Sequence, residues 1–287
     1  MNYTINVRGQ LMDLSVPRVM GILNATPDSF YAASRQQTEA AIAQRAEQIV
    51  REGADIIDVG ACSTRPDSTM ATENDEAERL RMALRVVRNT VPDAVVSVDT
   101  FRPDVARMAV EEWGADIIND VGEGNAHHAA HFAPDVPRPM FRMVARLRVP
   151  YILMSRAATV PAMLLSLSAE VAQLRSLGQK DIIIDPGFGF GKTVDENFSV
   201  MRDMSQLQQL GLPLLVGVSR KSMIWRTLRQ QPEQALNGTT VLNTLALQRG
   251  ADILRVHDVR EAVECVRLTQ MLRLGQSVED TESVNSK

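Results

Sequence analysis

Short oily runs recur along the chain, and nearly all of them stop at a side chain able to do chemistry. The run from Val19 to Leu23 ends at Asn24, Ile56 and Ile57 lead into Asp58, and the run from Ala94 to Val98 ends at Asp99. Ile117 and Ile118 precede Asn119 and Asp120, and the run from Ile182 to Ile184 precedes Asp185. The run from Leu214 to Val218 precedes Ser219, Arg220 and Lys221, and Ile253 and Leu254 precede Arg255, His257 and Asp258. Tyr151 to Met154 is the exception, because Ser155 and Arg156 follow it and no evident ligand does. Unbroken Val, Ile and Leu runs are what strands buried on both faces require, as in parallel sheets.

Segments of helical spacing separate the runs, over residues 38–50, 73–90, 102–113, 140–147, 160–177, 194–210, 232–248 and 259–274. Thr38 reads as the cap of the first, and Gly53 and Gly114 fit the left-handed position that ends many helices. Eight strands alternating with eight helices predict an α/β fold, a (β/α)8 TIM barrel whose active site gathers at the carboxyl ends of its strands. An open dinucleotide-binding sheet fits less well, since no G-x-G-x-x-G follows the first strand. The opening stretch predicts an N-terminal β-hairpin turning at Arg8 and Gly9 and plugging the barrel floor. One domain over residues 1–274 and a polar, disordered tail over 275–287 complete the organisation.

Composition narrows the function. A net charge of −4 leaves no electrostatic footprint for nucleic acid. No run approaches membrane-spanning length, and the first residues lack the apolar core of a signal peptide. With Cys62 and Cys265 alone, a disulfide framework is excluded and the cytoplasm is the expected location. Cys62 reads as a small buried residue.

The strand-end residues sort into two groups. Asp99, Asn119, Asp120 and Asp185 are expensive to desolvate together without partners. A ligand rich in N–H donors, such as a 2-amino-4-oxo pyrimidine edge, satisfies them, and so do divalent metals. Asp58 is a strand-end candidate whose plainer alternative is a structural carboxylate bonding loop amides, and Asp258 reads as the cap of the last helix. Lys221, Arg255 and His257, the last two on one face of a strand end, form a cationic group with Arg65 in the loop Ser63-Thr64-Arg65-Pro66, suited to a diphosphate. Asn24, before the turn at Thr26, Pro27 and Asp28, offers a neutral oxygen to Mg²⁺ or phosphate. The stretch from Asp185 to Thr193 lacks the first glycine of a P-loop, Pro186 standing in its place, so its glycines are expected to let backbone approach a flat ligand. His127, His128 and His131 hold a helical metal-pair spacing but sit in what reads as an exposed loop.

Taken in order, these strand-end motifs resemble the dihydropteroate synthases over residues 16–271. The stretch Met20 to Phe30 is similar to the family's first signature and Ser63 to Pro66 to its second. Ser97 to Thr100, Ile117 to Asp120, Asp185 to Thr193, Ser219 to Ser222 and Arg255 to Asp258 follow in the family's order. The resemblance implies condensation of a (7,8-dihydropterin-6-yl)methyl diphosphate with 4-aminobenzoate, the diphosphate leaving before the amine attacks. It implies pterin binding by Asp99, Asn119, Asp185 and Lys221, and diphosphate binding by Asn24, Arg65, Arg255 and His257. It further implies an aminobenzoate site at Thr64, Pro66 and Ser222, Mg²⁺ at Asn24, catalytic roles for Lys221, Asp99, Arg255 and His257, and a homodimer. Three departures stand out: Tyr31 to Arg35 where many members carry Asp-Gly-Gly, Ser155 and Arg156 where Met-His-Met is common, and a short stretch from 155 to 180 that predicts a truncated fifth helix. A diverged pterin-binding paralogue and a pterin-dependent methyltransferase are the alternatives.

Overall fold

The computed structural model describes residues 3–25, 35–62, 71–124 and 138–274. The turn at Thr26, Pro27 and Asp28, the second-signature residues Ser63, Thr64, Arg65 and Pro66, the histidines His127, His128 and His131 and the tail 275–287 lie outside the described residues.

Strands β1 (Thr4–Val7) and β2 (Gln10–Asp13) pair antiparallel, with Val7 opposite Gln10. Arg8 and Gly9 make the turn with φ of 53° and 79°, the doubly positive geometry whose twist matches a hairpin. Arg8 then ties the hairpin down. Its guanidinium donates to both oxygens of Asp116, at 2.6 and 2.8 Å, and to the Ala94 carbonyl at 2.7 Å.

Eight further strands run parallel: β3 (Arg18–Asn24), β4 (Ile56–Gly60), β5 (Val95–Asp99), β6 (Ile117–Asp120), β7 (Tyr151–Met154), β8 (Ile182–Asp185), β9 (Leu215–Val216) and β10 (Ile253–Val256). They pair in the order β8-β7-β6-β5-β4-β3-β10-β9, and a parallel bridge between Ile184 and Leu214 joins the two ends. The sheet therefore closes on itself as the (β/α)8 barrel that the repeat predicts.

Around it stand α1 (Arg35–Arg51), α2 (Glu73–Thr90), α3 (Pro103–Trp113), α4 (Pro139–Leu147), α5 (Val160–Ser176), α6 (Val194–Asp203), α7 (Ser222–Thr227), α8 (Leu236–Gln248) and α9 (Val259–Leu274). Four expectations need correction. α1 starts three residues before Thr38, so Thr38 is not its cap. The segment 194–210 divides into α6 and a 3₁₀ helix over Met204–Leu210, in which Met204 and Leu207 are buried at the three-residue spacing that geometry stacks on one side. The segment 232–248 likewise opens with a 3₁₀ turn before α8, and α7 was not anticipated because six residues are too few to show a helical period. Finally, α5 is not truncated: it spans 17 residues.

Two apolar layers follow from the strand alternation. Inside the barrel, Met20, Ile56, Ile117, Ile152, Ile183, Leu215 and Ile253 pack on Ile5, Val7 and Leu14 of the hairpin region, which closes the floor as expected. Outside, residues of opposite parity such as Val19, Ile57, Val98, Ile118 and Leu254 pack against the helices. A barrel plugged at its amino end leaves its carboxyl end for chemistry.

Candidate active site

Alternate residues of a strand face opposite sides. Ile56, Val95, Ile117, Ile183 and Ile253 belong to the inner floor, so Asp58, Ser97, Asn119, Asp185 and Arg255, two residues further on, face the barrel axis one layer higher. Asp99 and His257, two further again, come to the rim. The alternation also corrects the place of Asp120. It has the parity of Ile118 and faces the helices, where it accepts bonds from the Tyr151 hydroxyl at 2.6 Å and the Gly122 and Gly124 amides at 2.6 and 2.7 Å. It holds the turn after β6 rather than lining the mouth.

Arg255 lies at the centre. Its Nε donates to Asp58 Oδ2 at 2.6 Å and its Nη2 to Asp99 Oδ2 at 2.7 Å. Burial opposes its charge, but Asp58 and Asp99 outweigh that and its pKa is raised. Asp58 is fully buried, and the same Oδ2 takes a 3.0 Å bond from Asn119 Nδ2. Asp58 is therefore part of the site, not a loop-amide acceptor. Burial pushes Asp99 up to about 7 despite the Arg255 guanidinium beside it.

Asp185 accepts from the Gly187 amide at 2.7 Å, and burial raises its pKa against that bond and the nearby Lys221 ammonium. Burial pulls Lys221 down to about 8, with Asp185 holding it up. The Lys221 ammonium donates to the Phe188 carbonyl and sits 4.4 Å from the centre of the Phe190 ring. The glycines here serve a nearer purpose than a flat ligand. A Cβ on Gly187 (φ 64°) would lie 2.3 Å from the Ser155 carbonyl oxygen, and one on Gly189 (φ 81°) 2.9 Å from Cδ of Lys221. Lys192 folds back onto the Gly187 and Ser155 carbonyls at 2.9 and 3.3 Å, and α6 begins at Val194, its first turn closed by the Thr193–Glu196 capping box. The segment cradles no phosphate in P-loop fashion.

His257 corrects one further expectation. Burial and the neighbouring Arg255 lower its pKa to about 4, so at neutral pH it is an uncharged imidazole, its Nδ1 3.0 Å from Ser219 Oγ. A cavity of about 470 Å³ opens at the opposite end of the barrel, lined by Asn6, Arg8, Asp116, Arg148 and neighbours. None of the strand carboxyl ends reaches it.

The profile of the family described as "Pterin binding enzyme" matches residues 20–257. Dihydropteroate synthase of Escherichia coli K12 is 34% identical over 269 residues, covering 92% of this chain and 94% of that protein. The chain belongs to the dihydropteroate synthase family. Its Bacillus subtilis relative is 35% identical over 266 residues, covering 90% and 89% of the two chains. Among solved structures, Xanthomonas albilineans dihydropteroate synthase with 4-aminobenzoic acid superposes with a TM-score of 0.82 at 35% identity, covering 96% of this chain and 99% of that one. The same enzyme in complex with 7,8-dihydropteroate gives 0.80 at 34%, covering 95% and 99%. The activity is that of this family, a transferase of folate biosynthesis.

Set against that family, the structure brings Asp99, Asn119, Asp185, Lys221, Arg255 and His257 to one mouth, with Ser222 half-buried beside Lys221 at the start of α7. Thr64, Arg65 and Pro66 belong to residues outside the description. Asp58, Ser219 and Lys192 were missed as site residues. Parity along β4 would have found Asp58, since it shares a face with the floor residue Ile56. Ser219, which ends the run from Leu214 to Val218, was legible as a strand-end residue, but its meeting with His257 was not.

Asn24 Oδ1 and the Asp99 carboxyl flank Gly60, each about as near a Cβ built there: 3.8 Å to Asn24 Oδ1 and 3.8 Å to Asp99 Cγ. A neutral oxygen beside a carboxylate suits a hard divalent ion that keeps most of its contacts to substrate phosphates. No group of three metal-ligating side chains occurs among the described residues. Nor does any helix among them have the length and apolarity to cross a membrane.

Proposed function

We propose that the mouth condenses (7,8-dihydropterin-6-yl)methyl diphosphate with 4-aminobenzoate by a dissociative route, with ring recognition and leaving-group stabilisation divided between the two groups of strand-end residues. Asp99, Asn119 and Asp185 hold the donor-bearing ring, and Lys221 donates to its carbonyl region. Arg255, with Arg65 and the neutral N–H of His257, holds the departing diphosphate. Preorganised charge facing the group that gains charge is the most effective electrostatic aid to such a departure. The Asp99 carboxylate stands where positive charge develops on the ring, and no strong protein nucleophile is required. Thr64, Pro66 and Ser222 border the incoming amine. Mg²⁺, when bound beside Asn24, neutralises part of the diphosphate charge.

The observation that supports this reading is the 2.7 Å contact of Arg255 with Asp99, in which the cation assigned here to the diphosphate meets an acid assigned here to the ring. Release of diphosphate that requires both the pterin substrate and 4-aminobenzoate is the expected result. Pterin binding without such release would mark a binding paralogue and overturn it.

Homodimerisation and a cytoplasmic location belong to the same reading. Val241 on α8 and Leu268 and Leu272 on α9 leave 51, 69 and 77% of their surfaces exposed on helices that pack together, an apolar face suited to a second copy.

A further inference from the structure

We infer that Asp58 is a positioning residue that sets the reading direction of Asn119, and thereby selects a ring carrying an amino donor beside an unprotonated ring nitrogen. The inference rests on the ring-binding role proposed above for Asn119.

The two ends of a carboxamide are nearly identical in shape and opposite in hydrogen-bonding sense, so a buried Asn reads a ligand edge only if something fixes which end is which. Asp58 does this. Its carboxylate, ion-paired to Arg255 at 2.6 Å, is an acceptor only, and Oδ2 is 3.0 Å from Asn119 Nδ2. Turning the amide over would set Asn119 Oδ1 against Asp58 Oδ2, two acceptors in a fully buried contact. The amide is locked with Nδ2 toward Asp58. Asn119 Oδ1 is buried and, like the second N–H of Nδ2, has no partner among the described residues. An acceptor and a donor side by side complement an exocyclic amino group next to a bare ring nitrogen, the pattern of a 2-amino-4-oxo pteridine. A 2,4-dioxo pteridine presents the reverse, a carbonyl beside a ring N–H, and would need the amide turned over. Asp58 touches the diphosphate-binding Arg255 and the ring-binding Asn119 through one oxygen, so it links the two halves of the site without meeting substrate itself.

The test compares binding of a 2-amino-4-oxo pteridine and its 2,4-dioxo analogue to the full-length protein by calorimetric titration. Wild type is expected to favour the amino compound strongly. Asp58→Ala frees the amide and should shrink that preference by about tenfold or more, the size of one misdirected hydrogen bond. Asp58→Asn keeps a single acceptor oxygen for Arg255 and Asn119 and should restore the preference while still lacking the charge. Ser97→Ala removes a buried hydroxyl of the same layer that has no partner among the described residues, and should leave the preference intact. Full preference in Asp58→Ala, or equal loss in Asp58→Ala and Asp58→Asn, overturns the inference. Should wild type not prefer the amino compound, the ring site itself is misplaced, a distinct failure. A second reading needs no change at Asp58. The Asn119 side-chain amide resonances, assigned through Asn119→Ser, should include one proton protected from solvent exchange before any ligand is added. Rapid exchange of both protons would also overturn it.

Discussion

The Lys221 ammonium lies 4.4 Å from the centre of the Phe190 ring while it donates to the Phe188 carbonyl. The glycine-rich stretch after β8 and the turn after β9 therefore meet on one cation. The ring face attracts the charge, worth about 0.5–2 kcal/mol according to how dry the site is. Lys221→Ala should lower kcat by about 10²- to 10³-fold, the usual cost of losing a preorganised donor. Phe190→Leu, which keeps the lysine but removes the ring face, should cost far less. Steady-state diphosphate release measures both, and a near-normal Lys221→Ala would remove Lys221 from the chemistry.

Asp185 should act mainly in ring binding. Asp185→Asn replaces a charged acceptor with a neutral one, a loss of about 1.5–3 kcal/mol or roughly 10- to 100-fold. The change should appear in pterin affinity measured by titration, with the fold unchanged by circular dichroism.

The pH profile should be narrow and should owe nothing to His257. Asp99, held up to about 7 by burial, must be ionised to stabilise positive charge, so kcat/KM should rise through that value. Lys221, brought down to about 8, must be protonated, so the rate should fall above it. His257 stays neutral down to about 4 and adds no limb near its ordinary range. Asp99→Asn should abolish the lower limb; its persistence would assign that limb elsewhere.

The role proposed for Asn24 in holding Mg²⁺ predicts that turnover depends on the ion. Chelation should depress turnover, and Asn24→Ala should raise the Mg²⁺ concentration needed for half-maximal rate. Indifference of the wild-type rate to chelator would count against the role of Asn24.

A fifth prediction concerns stability behind β6 and β7. Glu170 is buried, paired at 2.8 Å with Arg138, and raised to about 7 by burial. Its folded pKa exceeds its unfolded value, so the folded protein binds the proton more tightly. The stability this provides is complete below the ordinary glutamate value and is lost as pH rises through about 7. Arg138→Ala should cost about 3–5 kcal/mol at pH 8, where Glu170 is a buried unpaired charge, and clearly less at pH 5.5. Denaturant melts at the two pH values measure the difference; equal losses at both would refute it.

The strand-end pattern was enough to give the barrel and most of the mouth, because a strand buried on both faces must be oily until it nears its end, where a polar side chain can reach the pocket. Asp99, Asn119, Asp185, Lys221, Arg255 and His257 were legible for that reason, and the hairpin was legible from its turn at Arg8 and Gly9. Which face of each strand meets the floor, and what charge each side chain carries, came from packing across the barrel. Asp120 turns to the helices and Asp58 to the axis because facing is set by register with the floor layer, and His257 is neutral because burial and Arg255 act on it together. The pairings of Ser219 with His257 and of Asp58 with Arg255 join residues 38 and 197 positions apart in the chain. No local pattern encodes them.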